Sequence, residues 1–258
     1  LDSPADLPND AMLCELVEEA RADTKTVGLI LSGSRSAGCA RPDSDYDVYW
    51  VLQDEAFAER EARGEPDSYR RVTAGRPMVE LLYTCPRLLR ELAEKPGWWS
   101  SGYVTAQVLL DKTGEIAALV QAIAEMPAER ARADAAERYD AYLNSFYRSL
   151  KAWRRDDTFG GRLHSAESAL YLIRTLFSLE RRRPPYLDRL EAQWTILSGQ
   201  GWQDGELRDA LLDLVDNGQP EAQIELETRV EALMDRRGFG QVLDGWNGDI
   251  ARVKTWFV

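Results

Sequence analysis

Residues 28–52, GLILSGSRSAGCARPDSDYDVYWVL, limit what this chain can fold into more than any other stretch. Leu29, Ile30 and Leu31 form an apolar run that stops at Gly33-Ser34. A segment of small residues follows, and Asp45-Tyr46-Asp47 opens a second apolar run that ends at Leu52. Short apolar runs bounded by Gly and Ser predict a strand, a tight turn, one or two helical turns and a second strand.

The second strand carries the chemistry. Side chains alternate faces with a rise of about 3.3 Å per residue, so Asp45 and Asp47 point the same way, roughly 7 Å apart. Tyr46, Val48, Trp50 and Leu52 take the other face and supply the burial that fixes the pair. Two carboxylates at a strand start suit a hard cation. The Gly33-Ser34 turn offers backbone N–H groups and a hydroxyl to an anion. Together they suit a metal-bound polyphosphate, because Mg²⁺ usually takes one or two carboxylates plus phosphate oxygens. A solvated D-x-D at a strand edge is the plain alternative. In a calcium loop Asp43, Asp45 and Asp47 would hold positions one, three and five, but Val48 stands where that loop needs glycine. In a P-loop Gly33 and Gly38 have the right gap, but Cys39 and Ala40 replace the required Lys and Ser/Thr. A haloacid-dehalogenase phosphatase has its apolar strand before the D-x-D; here the strand follows it.

Gly33-Ser34, then Ser44-Asp45-x-Asp47 and an apolar run, resembles the signature of the DNA-polymerase-β-like nucleotidyltransferase superfamily. Within it the chain is most similar to aminoglycoside adenylyltransferase-type enzymes, in which this domain precedes a helical one. The resemblance covers the first half by motif and the rest by organisation. It implies an α+β fold: a small mixed sheet flanked by helices over residues 1–126, and an all-α bundle over 127–258. The superfamily carries its third acidic residue on a strand beside the D-x-D strand, and Glu80 in Pro77–Thr84 is the match. Met78, Glu80 and Leu82 share one face there, and a carboxylate in such a run is costly to bury unless paired, protonated or metal-bound. Polymerase-like members carry aspartate at this place and aminoglycoside adenylyltransferases glutamate, which points to a small-molecule acceptor.

The resemblance further implies transfer of AMP from ATP to a hydroxyl. Asp45, Asp47 and Glu80 are the expected ligands of two Mg²⁺ ions, with Glu80 also as general base. Gly33, Ser34 and Ser44 are expected on the nucleotide. Relatives of this shape grip phosphates with a basic residue from the helical domain, for which Arg182 and Arg183, with Arg174 upstream, are the candidates. A solvated helix end explains these arginines equally well. The alternatives are transfer to a protein or another metabolite, and a silent nucleotide-binding or antitoxin-like module.

The net charge of −12 (44 Asp and Glu against 32 Lys and Arg) opposes binding to a nucleic-acid polymer and either favours a cationic acceptor or serves solubility alone. No run approaches the roughly 20 apolar residues that span a bilayer, and the N-terminus is not signal-like, so a cytoplasmic monomer or weak dimer is expected. Cys14, Cys39 and Cys85 have no paired spacing and read as reduced thiols. A single histidine, His164, makes a His-rich metal site or triad unlike this chain.

Along the rest, helical periods are expected over 11–21, 86–92, 115–125, 131–154, 163–180, 185–197, 206–216 and 220–237, and a strand over 107–111. Residues 1–9 read as a lead-in with Pro4 and Pro8, and 54–71 as a helix plus an exposed loop. Residues 96–102 read as a loop whose Trp98 and Trp99 either stack on a base or sugar or plug the core. Glu167, Ser168, Tyr171 and Arg174 fall near one helix face.

Overall fold

The computed structural model describes residues 10–203 and 205–257, with 198 and 199 described by backbone alone; the expected lead-in lies outside them. Contacts divide the chain into two compact units. One holds the residues up to Met126 together with Pro185–Gln193, and the other holds Pro127–Pro184 and the residues from Trp194.

The first unit begins with α1 (Ala11–Ala22), capped by Asp10, whose Oδ1 accepts from the N–H of Met12 and Leu13. Such a cap satisfies donors that a helix start leaves open. Next come β1 (Thr26–Ser32), the single turn α2 (Gly33–Ser36), β2 (Tyr46–Leu52), α3 (Asp54–Ala62), β3 (Ser68–Arg71) and β4 (Val79–Thr84). Then follow α4 (Pro86–Glu94), a 3₁₀ helix (Trp98–Tyr103), β5 (Gln107–Asp111) and α5 (Ile116–Ala124). The strands form one mixed sheet in the order β3-β4-β2-β1-β5, with β2 and β4 parallel and the other neighbours antiparallel.

Strand alternation gives this sheet two cores. Leu29, Leu31, Tyr46, Val48, Trp50, Val79 and Leu81 pack with Leu16 and Val17 of α1 and Phe57 of α3. Val27, Ile30 and Val51 pack on the opposite face with Leu89, Tyr103, Ile116, Val120 and Ile123. β3 corrects the expected loop: its residues SYRR are mostly exposed, so no apolar alternation announces it, and pairing with β4 makes it an edge strand.

The second unit is helical: α6 (Ala128–Trp153), α7 (Thr158–Leu179), α8 (Glu206–Asp216), α9 (Pro220–Arg236), α10 (Gly240–Asp244) and α11 (Asp249–Lys254). Tyr139, Tyr142, Leu143, Phe146 and Leu150 of α6 are buried, as are Leu172, Leu176 and Phe177 of α7 and Val230 and Met234 of α9. The α+β class is therefore as expected. The helix expected over 185–197 is instead two 3₁₀ segments, Leu187–Arg189 and Glu191–Gln200, and the first belongs with the sheet unit. Leu163 and Leu170, placed on an apolar stripe by their spacing, are exposed, because period alone does not say how wide the buried face is. Among the described residues no helix is long and apolar enough to cross a membrane, and Cys14, Cys39 and Cys85 are free.

Candidate active site

Register aligns the acidic residues. Ser32 of β1 pairs with Asp47 of β2, Asp47 with Glu80 of β4, and Glu80 with Arg70 of β3. Paired residues on adjacent strands put their side chains on one face about 5 Å apart. Ser32, Asp47, Glu80 and Arg70 thus form one row across the sheet, at the end where β1 runs into the Gly33 turn.

That turn is built around Asp47. Gly33 has φ +78°, and a Cβ added to it would lie 1.9 Å from Asp47 Oδ2 and 2.8 Å from its Cγ. Only glycine adopts this φ without strain and lets a carboxylate rest on the backbone so closely. The turn itself is pinned: Ser36 Oγ donates to the Gly33 carbonyl at 3.0 Å, Gln107 Nε2 to the Ser36 carbonyl at 3.0 Å, and Ser32 Oγ to the Gly102 carbonyl at 2.7 Å.

Arg35, one of two residues that sequence reasoning missed, holds the approach to β2. Its Nε donates to the Asp45 carbonyl at 3.1 Å and its Nη2 to the Ser44 carbonyl at 2.6 Å, while the guanidinium lies 3.8 Å over the Tyr46 ring. Tyr46 Oη in turn donates to Asp10 Oδ2 at 2.6 Å. Asp45 is thereby fixed from its backbone. The Ser44 hydroxyl accepts from the Arg41 N–H at 2.9 Å, so it closes the preceding turn.

The carboxylates repel one another. Burial pushes the Asp47 carboxyl above its ordinary range, the charge of Asp45 pushes further, Glu80 adds to it, and Arg189 opposes. Arg189 is the second residue missed. It sits on the 3₁₀ segment that joins the sheet unit, its side chain only 19% exposed. Its Nε–H is buried and meets no hydrogen-bond acceptor among the described residues, although the guanidinium forms a long ion pair with Asp188 at 4.0 Å. A half-buried guanidinium near acidic groups, with one donor left open, is chemically suited to a phosphate oxygen. Its signal in the sequence was only another arginine after the Arg181–Arg183 run, inside a stretch whose expected helical period assigned it to the bundle rather than to the 3₁₀ segment it occupies.

Among the described residues no three His, Cys, Asp or Glu side chains are gathered as a metal-holding group. Glu80, 22% exposed, instead accepts from Arg70 Nε at 3.1 Å. What fits a magnesium ion is the Asp45 and Asp47 pair, a donor set whose mutual repulsion a hard cation relieves and whose remaining positions phosphate oxygens fill. Arg174, Arg182 and Arg183 belong to the helical unit. There Arg174 is exposed on α7 and Ser168 buried. Burial lowers the proton affinity of Arg183 against the pull of Asp134.

No protein-family model matches the chain, and no curated protein matches it. Among solved structures it is similar to the crystal structure of a nucleotidyltransferase-like protein from Exiguobacterium sibiricum 255-15. That likeness has 12% sequence identity over 94% of this chain and 77% of that chain, at a TM-score of 0.42, and is too distant to bear on function.

Proposed function

We propose that this chain is a nucleotidyltransferase that moves AMP from ATP to a hydroxyl of a small cationic acceptor of the aminoglycoside type. The observation that carries this is Asp47 resting on Gly33 with Glu80 beside it in register. The acceptor oxygen attacks the α-phosphorus while the bond to the bridging oxygen breaks, so pyrophosphate leaves and the acceptor proton goes to Glu80. Gly33 and Ser34 bind the β and γ phosphates through backbone N–H groups and the hydroxyl, with Ser44 supporting the turn that presents Asp45. Magnesium, two ions in the full site, would be held by Asp45 and Asp47 with Glu80 at its border, and supplies charge neutralisation for the leaving pyrophosphate. The rest is positioning.

Arg189 joins Arg174, Arg182 and Arg183 as a candidate ligand of the nucleotide phosphates. Arg189→Gln is expected to raise the KM for ATP about tenfold, as a lost charge-assisted hydrogen bond does, with the acceptor KM little changed. Steady-state kinetics with each substrate varied check this; an unchanged ATP KM removes Arg189 from the site.

The function itself is tested by incubating the protein with Mg²⁺, labelled ATP and a panel of aminoglycosides. Acceptor-dependent pyrophosphate release is the expected result. Labelled protein would move the acceptor class to a protein side chain. Nucleotide binding without turnover would favour the silent module, the reading to which the Arg70–Glu80 ion pair lends weight.

A further inference from the structure

Trp98 and Trp99 form an exposed aromatic pair on the sheet unit. Their rings stack at a centroid separation of 3.9 Å and an interplanar angle of 28°, yet the two residues stay 64% and 50% exposed. Their expected alternative role, plugging the core, is thereby excluded. Stacking uses one face of each indole, and apolar ring area left in water gains the fold nothing.

The pair is tied to the candidate site at the other end of its helix. Ser32, the residue before Gly33, donates to the Gly102 carbonyl. A Cβ on Gly102 would come within 3.3 Å of Tyr49 Oη, and the Tyr103 ring stacks on Tyr49 at 4.7 Å. The 3₁₀ helix Trp98–Tyr103 is thus fixed to the turn on which Asp47 rests. At about 2.0 Å per residue the tryptophans stand roughly 6–8 Å along the helix from that anchor. That is the scale on which a nucleotide separates its phosphates from its base.

We propose that Trp98 and Trp99 are the stacking platform for the purine base of the nucleotide whose phosphates lie at the Gly33 turn, an inference that rests on the nucleotidyltransferase reading. A base offers a flat π-face to such a platform, and the distance from the Gly33 turn matches the span from its phosphates. Because every purine has that face, the platform binds ATP and GTP alike.

Calorimetric titration of the whole chain with MgATP and with inorganic triphosphate tests it. In the Trp98→Ala/Trp99→Ala variant ATP affinity is expected to fall about tenfold while triphosphate affinity stays unchanged. Trp98→Phe/Trp99→Phe, which keeps flat rings, should retain ATP binding. Equal losses for both ligands, or no loss for ATP, overturn the platform and leave the transferase intact. A wild-type chain that binds neither ligand overturns both. A wild-type dimer that the alanine variant dissolves, seen by sedimentation without nucleotide, would give the pair to a second copy of the chain and also overturn the proposal.

Discussion

Asp47→Asn is expected to abolish nucleotidyl transfer and, at the same time, to stabilise the fold. Its carboxylate is the one that Gly33 is shaped around, so losing its charge should lower turnover by about 10²–10³-fold or more. Stability moves the other way. Burial, then Asp45 and Glu80, raise the proton affinity of Asp47 in the folded chain, and Arg189 recovers only part. A carboxyl with a raised folded pKa costs stability once pH exceeds its unfolded value, and the asparagine variant carries no such cost. Its thermal midpoint at pH 7 should therefore be higher than wild type. Gly33→Ala loses activity too, but for a steric reason and with the opposite effect on stability. Its Cβ would collide with Asp47 Oδ2 in a left-handed backbone that alone costs about 1–2 kcal/mol. Parallel melting and turnover measurements separate the two. An inactive Asp47→Asn with a lowered midpoint would mean that Asp47 serves the fold and is not held at its expense.

The residues that could be read in advance share one property: their chemistry and their burial lie in the same short segment. β1, the Gly33 turn and β2 are consecutive, and apolar alternation on β2 places Asp45 and Asp47 on one face without knowledge of any other strand. Glu80 could be matched because its strand is apolar enough to be recognised alone. What escaped depends on partners distant in sequence. β3 has no buried face of its own, and only pairing with β4 makes it a strand, so the Arg70–Glu80 pair stayed hidden. Arg189 reaches Asp47 because Pro185–Gln193 rejoins the sheet unit after two long helices. A 3₁₀ segment of three residues has no period to betray that return. Arg35 was in plain view inside the motif, but its work is done by hydrogen bonds to backbone carbonyls, which residue type does not encode.

The helical unit should lose stability as pH rises from about 4.5 to 7, and Glu227 is the cause. It lies on α9 with no exposed surface, its carboxylate meeting the ammonium of Lys254. Facing it are Lys254 of α11, with which it forms an ion pair, the rings of Tyr139 and Tyr142 of α6, and Glu231 on its own helix. Burial outweighs Lys254 and pushes its pKa up to about 7. For Lys254, burial acts downward, but the carboxylates of Glu227 and Glu231 outweigh it and the net shift is upward. The folded chain therefore binds a proton that the unfolded chain has released. The cost of ionising Glu227 is absent below pH 4.5 and complete above 7, and amounts to about 3 kcal/mol. Glu227→Gln, which stays neutral and leaves Lys254 its bond to Glu231, should remove most of the stability difference between pH 5 and pH 8 in denaturant titrations. Lys254→Met should be costly at pH 8, by about 3–5 kcal/mol, because it strands a buried charge, and nearly neutral at pH 4, where Glu227 is protonated. A pH dependence that Glu227→Gln leaves untouched would place the titrating group elsewhere in the unit.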